Sequence, residues 1–290
     1  MRRGEADVRS DVFAHGIRVL NELGRWQNNT MLKFYILEHV TGSLKAKRGE
    51  RSFAAVKMDE LRTVLPHFVH HLWTENSINH ALAHNRPRIF FVGVHKMCME
   101  ALGRPELDQP MMKLGYEHVS LADILDTHDQ MPDIFSTRTP KQIANINHYQ
   151  EKMEAKMIND PSIRCAQCDH SRNPRKAFGE FIRFDALDCL TTGDTSKWVL
   201  GNVPGKVWSF GRPLTVAERA RAQGIVPESL DCVQSRTKKI SMLGNTISVD
   251  VIGAVFASIC PAMVAFERGT NAQLVRVLPP ADTQEDNTTD

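Results

Sequence analysis

The most constraining feature of this sequence is a short apolar segment that follows two arginines. Residues 89–94 read Ile-Phe-Phe-Val-Gly-Val and come directly after Arg86, Pro87 and Arg88. A continuous apolar run of this length, rich in β-branched and aromatic residues, predicts a strand. Because Pro87 separates the two arginines, we expect both guanidinium groups to project to the same face of the strand.

Neighbouring segments complete half of an α/β pattern. Residues 32–40 and 67–74 are typical of strands, and residues 11–24 and 54–65 have apolar side chains at helical spacing. In the first helix these side chains are Val12, Phe13, Ile17, Leu20 and Leu23. The order predicts half of a doubly wound sheet, with Glu38 at the C-terminal end of its strand, where ligands bind in open α/β sheets.

The rest of the chain is less regular until residue 214. Residues 96–207 are rich in turn signals and contain one clear helix, at 141–157. Thr215 and Glu218 have capping-box spacing and predict a helix that runs to Gln223 and stops at Gly224. A last helix is expected to begin near Ser248, and the acidic tail is expected to be disordered. The predicted units are 1–95, 96–207, 208–268 and the tail 269–290.

Composition excludes some classes of protein. The chain has 290 residues, 42% of them hydrophobic, and a formal charge of +2, so it can bury a substantial core, and its charge favours no class of partner. Six scattered cysteines and a start without an apolar segment argue against a secreted disulfide scaffold. We therefore expect an intracellular protein, nuclear in a eukaryote and cytoplasmic otherwise. The apolar run 247–259 is too short to cross about 30 Å of hydrocarbon, so no membrane partner is expected.

Four segments resemble, in order and spacing, the later motifs of the DNA (cytosine-5) methyltransferases. They are residues 35–40, 84–93, 212–224 and 243–249. The resemblance implies part of a class I S-adenosylmethionine-dependent methyltransferase, in which a Rossmann-like α/β sheet carries an inserted irregular target-recognition module. It also implies methyl transfer from S-adenosylmethionine to carbon 5 of a flipped cytosine, with DNA as the partner.

The same resemblance assigns roles to three residues. In the family reaction a thiolate adds to carbon 6 of a cytosine that is flipped out of the duplex, and a carboxyl group contacts ring nitrogen N3. Glu38 matches that carboxyl group, although His39 replaces the family's Asn. Arg86 and Arg88 match the family's arginine pair, the second of which reaches the exocyclic oxygen, and His84 stands at the family's Gln. The ordinary alternative is a solvated ion pair beside solvated arginines at a strand edge.

Other matches imply supporting roles. The segment 212–224 is the most specific match, and we interpret it as structural support for the hinge to the recognition module. Asn245 and Thr246 would complete one wall of the S-adenosylmethionine site, although a plain turn before a core helix explains them as well. The residues expected to approach the DNA backbone are Thr191, Thr192, Arg172, Arg175 and Lys176, for which a solvated basic face is the alternative.

One cysteine pair has the spacing of half a zinc site. Cys165 and Cys168 are separated by two residues, but a structural zinc needs four ligands and no second pair stands nearby in the sequence. We therefore predict reduced structural thiols and no metal.

The earlier family motifs, a Phe-x-Gly-x-Gly loop and a Pro-Cys-Gln nucleophile, do not occur in the sequence. Residues 7–13 resemble the segment that follows the nucleophile, so the chain is expected to begin just downstream of it. We expect a truncated product, a split subunit with a complementary N-terminal half, or an inactive binding module, and no methyltransferase activity from the chain alone. The alternatives are a regulatory nucleic-acid-binding protein and a transfer RNA methyltransferase relative; the length of the recognition module favours DNA.

Overall fold

The computed structural model describes residues 8–26, 32–46, 48–110, 117–126, 138–174, 180–191, 197–201 and 212–277. The helices are α1 Val8–Trp26, α2 Phe53–Val64, α3 Lys96–Leu102, α4 Leu121–Ile124, α5 Pro140–Asn159, α6 Val216–Arg221, α7 Arg236–Asn245 and α8 Val249–Val277. The strands are β1 Phe34–Val40, β2 Phe68–Asn76, β3 His84–Asn85, β4 Pro87–His95, β5 Cys165–Asp169, β6 Ile182–Phe184, β7 Leu187–Asp188, β8 Lys197–Gly201 and β9 Arg212–Pro213. Short 3-10 helices lie at Thr41–Leu44, Ser77–His80 and Pro227–Leu230. This mixture is an α/β fold, as predicted, and the predicted acidic tail lies outside the described residues apart from its start in α8.

A three-stranded sheet carries the candidate site. Its order is β1–β4–β2, and the central strand β4 runs antiparallel to both neighbours. Residues 89–95 of β4 are all buried, because strands pair with both of its edges and side chains from helices pack on both of its faces. The strands expected at 32–40, 67–74 and 89–94 are confirmed. The structure also gives the direction of β4, which the sequence could not predict because an apolar run carries no information about strand direction.

Helices α1 and α2 cover one face of this sheet. Phe13, Ile17 and Leu20 of α1 are buried against it, as expected, but Val12 and Leu23 are 71% and 43% exposed. The expectation for these two side chains was wrong because only the stripe at positions 13, 17 and 20 faces the strands. Helix α2 contributes Ala54, Met58 and Leu61 to the same core.

A close approach between two strands requires a glycine in β4. Gly93 lies opposite Tyr35 of β1, and a Cβ added at Gly93 would stand 2.0 Å from Cε1 of that ring. The ring therefore lies across the glycine, and the phenol oxygen reaches Nδ1 of His70 on β2 at 2.6 Å. Burial raises the pKa of this tyrosine far above its ordinary value, so it stays protonated.

Helices α3 and α8 cover the opposite face. Val251, Val255 and Ile259 of α8 pack against Phe90 and Val92 of β4. By length and composition alone, the segment Arg236–Gly269 could cross a membrane, and it is the single such stretch among the described residues. The packing of one side of α8 on the sheet agrees with the expected amphipathic core helix. The helix is longer than the predicted run 247–259 and continues through Pro261.

A second sheet occupies the region that the sequence predicted to be irregular. Its order is β6–β5–β8–β9 with antiparallel neighbours, and a separate parallel pair, β3–β7, joins it to the start of β4. Helix α5, predicted at 141–157, packs on this sheet through Ile146 and Tyr149, which contact the core around Trp198. The strands were missed because they have only two to five residues. Strand β9, beyond residue 207, pairs with the module's own sheet.

Candidate active site

An ion pair joins two neighbouring strands at one end of the first sheet. Nε of Arg88 lies 2.8 Å from Oε1 of Glu38, and both side chains are about five-sixths buried, with 13% and 15% of their surface exposed. Arg88 pairs across the ladder with Val40, two residues beyond Glu38. The two side chains are therefore diagonal neighbours on one face of an antiparallel pair, where long side chains meet. The structure brings together two of the three residues that the sequence assigned to catalysis.

The environment of Glu38 raises the pKa of its carboxyl group. Burial raises the pKa of this carboxyl group, and the charges of Arg88 and then Arg86 oppose that rise. Desolvation is the larger effect because a buried carboxylate loses its hydration shell. Glu38 therefore retains a proton more readily than an exposed glutamate and can donate a hydrogen bond to a ring nitrogen.

Arg86 occupies a different place from Arg88. Its side chain is 3% exposed and donates to the carbonyl oxygens of Leu190, Gly244 and Thr246, the last at 2.7 Å. Both arginines also reach the sulfur of Cys189, so they do point to one side, as expected. Arg86 nevertheless lies beneath the site and links three segments, which gives it a structural role in place of open contact with a ligand.

His84, at the position of the family's Gln, supports the same junction. The imidazole is fully buried, and its Nε2 accepts a hydrogen bond from the backbone N–H of Leu190 at 3.0 Å. Burial, reinforced by the charges of Arg86, Arg88 and Lys197, lowers the pKa of His84 to about 3. The ring is therefore neutral at physiological pH and acts as an acceptor, as a glutamine carbonyl would.

His39 lies away from the carboxyl group of its neighbour. Its ring centroid is 5.1 Å from that of Phe53 and 5.5 Å from that of Phe13, on the α1 and α2 side of the sheet. Successive side chains of a strand alternate between faces, so His39 packs in an aromatic pocket while Glu38 faces the site. The guanidinium of Arg88 holds Glu38 in place.

Sequence reasoning missed two residues of this cluster. The half-buried thiol of Cys189 receives N–H groups from Arg86 and Arg88 at 3.6 and 3.5 Å. Nζ of Lys197 donates to the carbonyl oxygen of Cys189 at 3.0 Å. More than 100 positions separate Cys189 from the arginines, and no local pattern signals the contact.

The residues proposed for the cofactor wall lie between two helices. Asn245 is the last residue of α7, and Thr246 follows it, three residues before α8 begins. Both residues precede the last helix, as predicted, and the structure also places Asn245 at the end of α7, a helix that the polar run 235–239 concealed. They line a cleft of about 370 Å³ whose other walls are mainly apolar, including Ile225, Leu230 and Leu243.

The residues expected to approach DNA are only partly described. Thr191 is exposed directly after the buried Leu190. Arg172 pairs with Asp169 at 3.2 Å and lies 5.2 Å from the ring of Phe181, so its charge is already engaged. Three further candidates lie outside the described residues: Thr192, Arg175 and Lys176.

The two cysteines of the half zinc site face different cores. Cys165 packs with Leu187 and Leu214, whereas Cys168 packs with Tyr149 and Trp198. Both thiols are fully buried on β5, and burial raises the pKa of each above its ordinary value. Positions three apart on a strand face opposite ways, so the two sulfurs cannot bind one metal ion together.

A buried ion pair supports the elements around the site. The guanidinium of Arg212 donates to both carboxylate oxygens of Glu218 at 2.6 and 2.7 Å, with 3% and 0% of the side chains exposed. The same carboxylate accepts from the backbone N–H groups of Thr215 and Asp126. The predicted capping box is therefore confirmed, and its glutamate also fixes the loop before residue 127.

Helix α6 ends at Arg221, two residues before the predicted Gln223, and a turn continues to Gly224. Gly224 has a φ of +70°, and a Cβ there would meet a carboxylate oxygen of Asp250 at 2.6 Å. Gln223 connects the neighbouring helices: its side chain donates to the carbonyl oxygen of Leu243, and its own carbonyl accepts from Val249. The segment 212–224 thus holds α6, α7 and α8 together beside the site.

Comparison with known families agrees with this arrangement. The sequence model of the family described as C-5 cytosine-specific DNA methylase matches residues 1–260. The chain belongs to this family. Members of the C-5 cytosine-specific DNA methylase family are methyltransferases that generally use S-adenosylmethionine. A search of curated proteins finds no match.

Solved structures of similar fold include three methyltransferases. Dnmt2 methyltransferase from S. pombe is 16% identical, with 89% of this chain and 75% of that chain covered and a TM-score of 0.49. The methyltransferase EhMeth from Entamoeba histolytica is 11% identical, with 84% and 68% covered and a TM-score of 0.49. A putative DNA modification methyltransferase encoded within a prophage of E. coli is 15% identical, with 90% and 75% covered and a TM-score of 0.49. Membership of the C-5 cytosine-specific DNA methylase family rests on the sequence match alone.

Proposed function

We propose that this chain forms the base-binding part of a DNA (cytosine-5) methyltransferase. In this proposal Glu38 contacts N3 of a flipped cytosine, and Arg88 contacts the exocyclic oxygen beside it. A sequence outside these 290 residues, in the same polypeptide or in a partner subunit, supplies the nucleophilic thiolate and the glycine-rich cofactor loop. DNA and such a complementary N-terminal half are the proposed partners.

The largely buried Glu38–Arg88 ion pair is the single observation that carries the proposal. Addition of a thiolate to carbon 6 pushes electrons toward N3, and a proton or hydrogen bond at that nitrogen stabilises them. A carboxyl group whose pKa is raised by burial is suited to provide the proton at neutral pH. Arg88 keeps the carboxyl group oriented. It also retains other N–H groups that can reach the exocyclic oxygen of the cytosine.

The junction below the pair gives the site a rigid base. Arg86 ties the loop after β7 to the joint between α7 and α8, and His84 accepts from the same loop. Preorganised side chains favour catalysis because they need no rearrangement during the reaction. The position of these anchors directly beside Arg88 supports a catalytic site over a solvated strand edge.

The residues at the joint between α7 and α8 fit one side of an S-adenosylmethionine site. The cleft combines apolar walls with three polar side chains, Ser241, Asn245 and Thr246, a combination that suits an adenosyl group. When bound, S-adenosylmethionine supplies the methyl group. In this proposal Asn245 and Thr246 would hold its polar atoms, and the missing contacts would come from the complementary half.

Reconstituted methyl transfer tests the proposal. The chain is co-expressed with an N-terminal segment of a DNA (cytosine-5) methyltransferase that carries the thiolate and cofactor loops, and transfer of a tritiated methyl group is measured with duplex DNA and with transfer RNA. We expect transfer to DNA that Glu38→Gln lowers by roughly 10²- to 10⁴-fold, the range for loss of a general acid. Glu106→Ala, in an exposed turn after α3, is the matched control and should leave transfer unchanged.

Each other outcome refutes a defined part of the proposal. Equal activity of Glu38→Gln and the parent would remove Glu38 from the site. Methylation of transfer RNA alone would replace the substrate. DNA binding without methyl transfer by the reconstituted protein would favour a non-catalytic nucleic-acid-binding module.

A further inference from the structure

Arg86 is a buried cation without a carboxylate partner among the described residues. Its guanidinium is 3% exposed, and the neighbouring carbonyl oxygens of Leu190, Gly244 and Thr246 are neutral. Its Nε has no hydrogen-bond partner in the described part of the chain. Buried charges are normally paired, because an uncompensated charge in the interior is strongly destabilised. The remaining group that Arg86 contacts is the sulfur of Cys189.

Cys189 lies where positive charge converges. N–H groups of Arg86 and Arg88 point at its sulfur at 3.6 and 3.5 Å, and Lys197 donates to its carbonyl oxygen. Among the described residues, the ion pairs of this cluster join three cations to two carboxylates: Arg88 to Glu38, and Arg183 and Lys197 to Asp188. With Arg86, the cations of the described part outnumber its carboxylates. Two guanidinium groups are therefore in position to donate to the sulfur.

Cys189 is also partly exposed as a residue. Cys189 is half-buried, whereas Cys98, Cys165 and Cys168 are fully buried. Reactive cysteines combine partial exposure with an electropositive surrounding, and structural cysteines lack both. Among the cysteines, Cys232 and Cys260 are exposed and provide internal references for solvent access alone.

We propose that Cys189 is a modification site that forms a mixed disulfide with small anionic disulfides. The Cys189 thiol releases its proton to solvent, and its sulfur attacks one sulfur of the reagent. A new S–S bond forms as the old one breaks, and the other half of the reagent leaves as a thiolate. The positive charge beside the sulfur attracts a negatively charged reagent.

The modification would act directly on the candidate site. An anionic group attached to Cys189 stands beside the guanidinium of Arg88 and competes with Glu38 for it. If the proposed function is correct, this would couple the state of the thiol to the base-binding pair. The formation of the mixed disulfide does not depend on that function.

Two reagents of similar size and opposite charge test the proposal. 3,3′-Dithiodipropionate is anionic and cystamine is cationic, and each is reacted with the full chain while peptide mass spectrometry follows modification of Cys189 and Cys232. Each rate is divided by the rate of the same cysteine in the urea-unfolded chain, which removes the intrinsic difference between reagents. At Cys189 we expect the normalised rate to favour the anionic reagent about tenfold or more at low salt, with the preference falling at high salt.

Variants of Arg88 provide the matched controls. Arg88→Gln should abolish most of the charge preference, and Arg88→Lys should retain it because the cation is kept. Arg104→Gln, which removes the same charge from an exposed turn, should have no effect. Near-ultraviolet circular dichroism verifies that each variant is folded. A normalised ratio near one in the parent chain, a ratio in Arg88→Gln equal to the parent's, or no reaction at Cys189 would each overturn the proposal.

Discussion

Acid stability offers a direct test of the buried histidine beneath the site. His84 is fully buried, and its Nε2 accepts a hydrogen bond from the N–H of Leu190. The replacement His84→Gln keeps an acceptor of similar reach, because the glutamine Oε1 can receive the same N–H group. The change removes the titratable group while leaving its structural contact, so the pH dependence of stability isolates the charge.

The size and sign of the effect follow from the shift of the His84 pKa. Its ordinary value is 6.5, and burial lowers it to about 3 in the folded chain. Between these values the unfolded chain binds the proton and the folded chain does not, so acid favours unfolding. Stability from this group is complete above pH 6.5 and is lost at about 1.4 kcal/mol per pH unit below it. At pH 5.0 the loss is about 2 kcal/mol.

Urea unfolding at pH 7.5 and pH 5.0, followed by tryptophan fluorescence, measures the difference. Burial also lowers the pKa of His70, His71 and His95, so the parent chain loses more than the share of His84 alone. We expect the acid-induced loss to be about 2 kcal/mol smaller in His84→Gln than in the parent. His15→Gln, on the exposed side of α1, should behave as the parent does. An equal loss in His84→Gln would refute the buried neutral state.

Three further changes test the fold. Glu218→Gln removes the opposite charge from its buried arginine partner and should cost about 3–5 kcal/mol in urea unfolding. The exposed Glu228→Gln should stay within about 0.5 kcal/mol, and a small effect at Glu218 would contradict the buried pair. Gly93→Ala places a Cβ 2.0 Å from a tyrosine ring and should cost at least about 1–3 kcal/mol, in contrast to Gly42→Ala, where no atom lies within 4 Å. Metal analysis should find well under one zinc per chain, and stoichiometric zinc that disappears in Cys168→Ser would show a metal-stabilised module.

The sequence predicted those helices and strands whose defining pattern lies within a single short segment of the chain. The β4 run is apolar at every position because both faces are covered, and the Thr215 to Glu218 spacing specifies its own cap. Helix α7 was missed because residues 235–239 are polar, and the short strands of the second sheet were missed because they lack a measurable period. Apolar content also overestimated the buried face of α1, since Val12 and Leu23 lie on its outer flank.

The candidate site was predictable only in part for a related reason. Glu38 could be placed at a strand end, but its contact with Arg88 depends on the antiparallel register, which neither strand encodes alone. The contact of Cys189 with the arginines depends on how β7 pairs with β3. Contacts of this kind are properties of the assembled sheets, so resemblance to a family could suggest Glu38 and could not suggest Cys189.

The different depths of the two arginines determine which substitutions can report on chemistry. Arg88 lies within β4. Its ion pair with Glu38 can open to admit a ligand because both side chains are partly exposed. Arg86 precedes the strand, and its partners are backbone carbonyls of two segments, the loop after β7 and the joint between α7 and α8. Loss of Arg86 would leave those carbonyls without a donor and separate the β7 loop from α7, so it would damage the fold and the site together. Arg88 and Glu38 are therefore the positions at which a change in activity can be interpreted as a change in contact with the base.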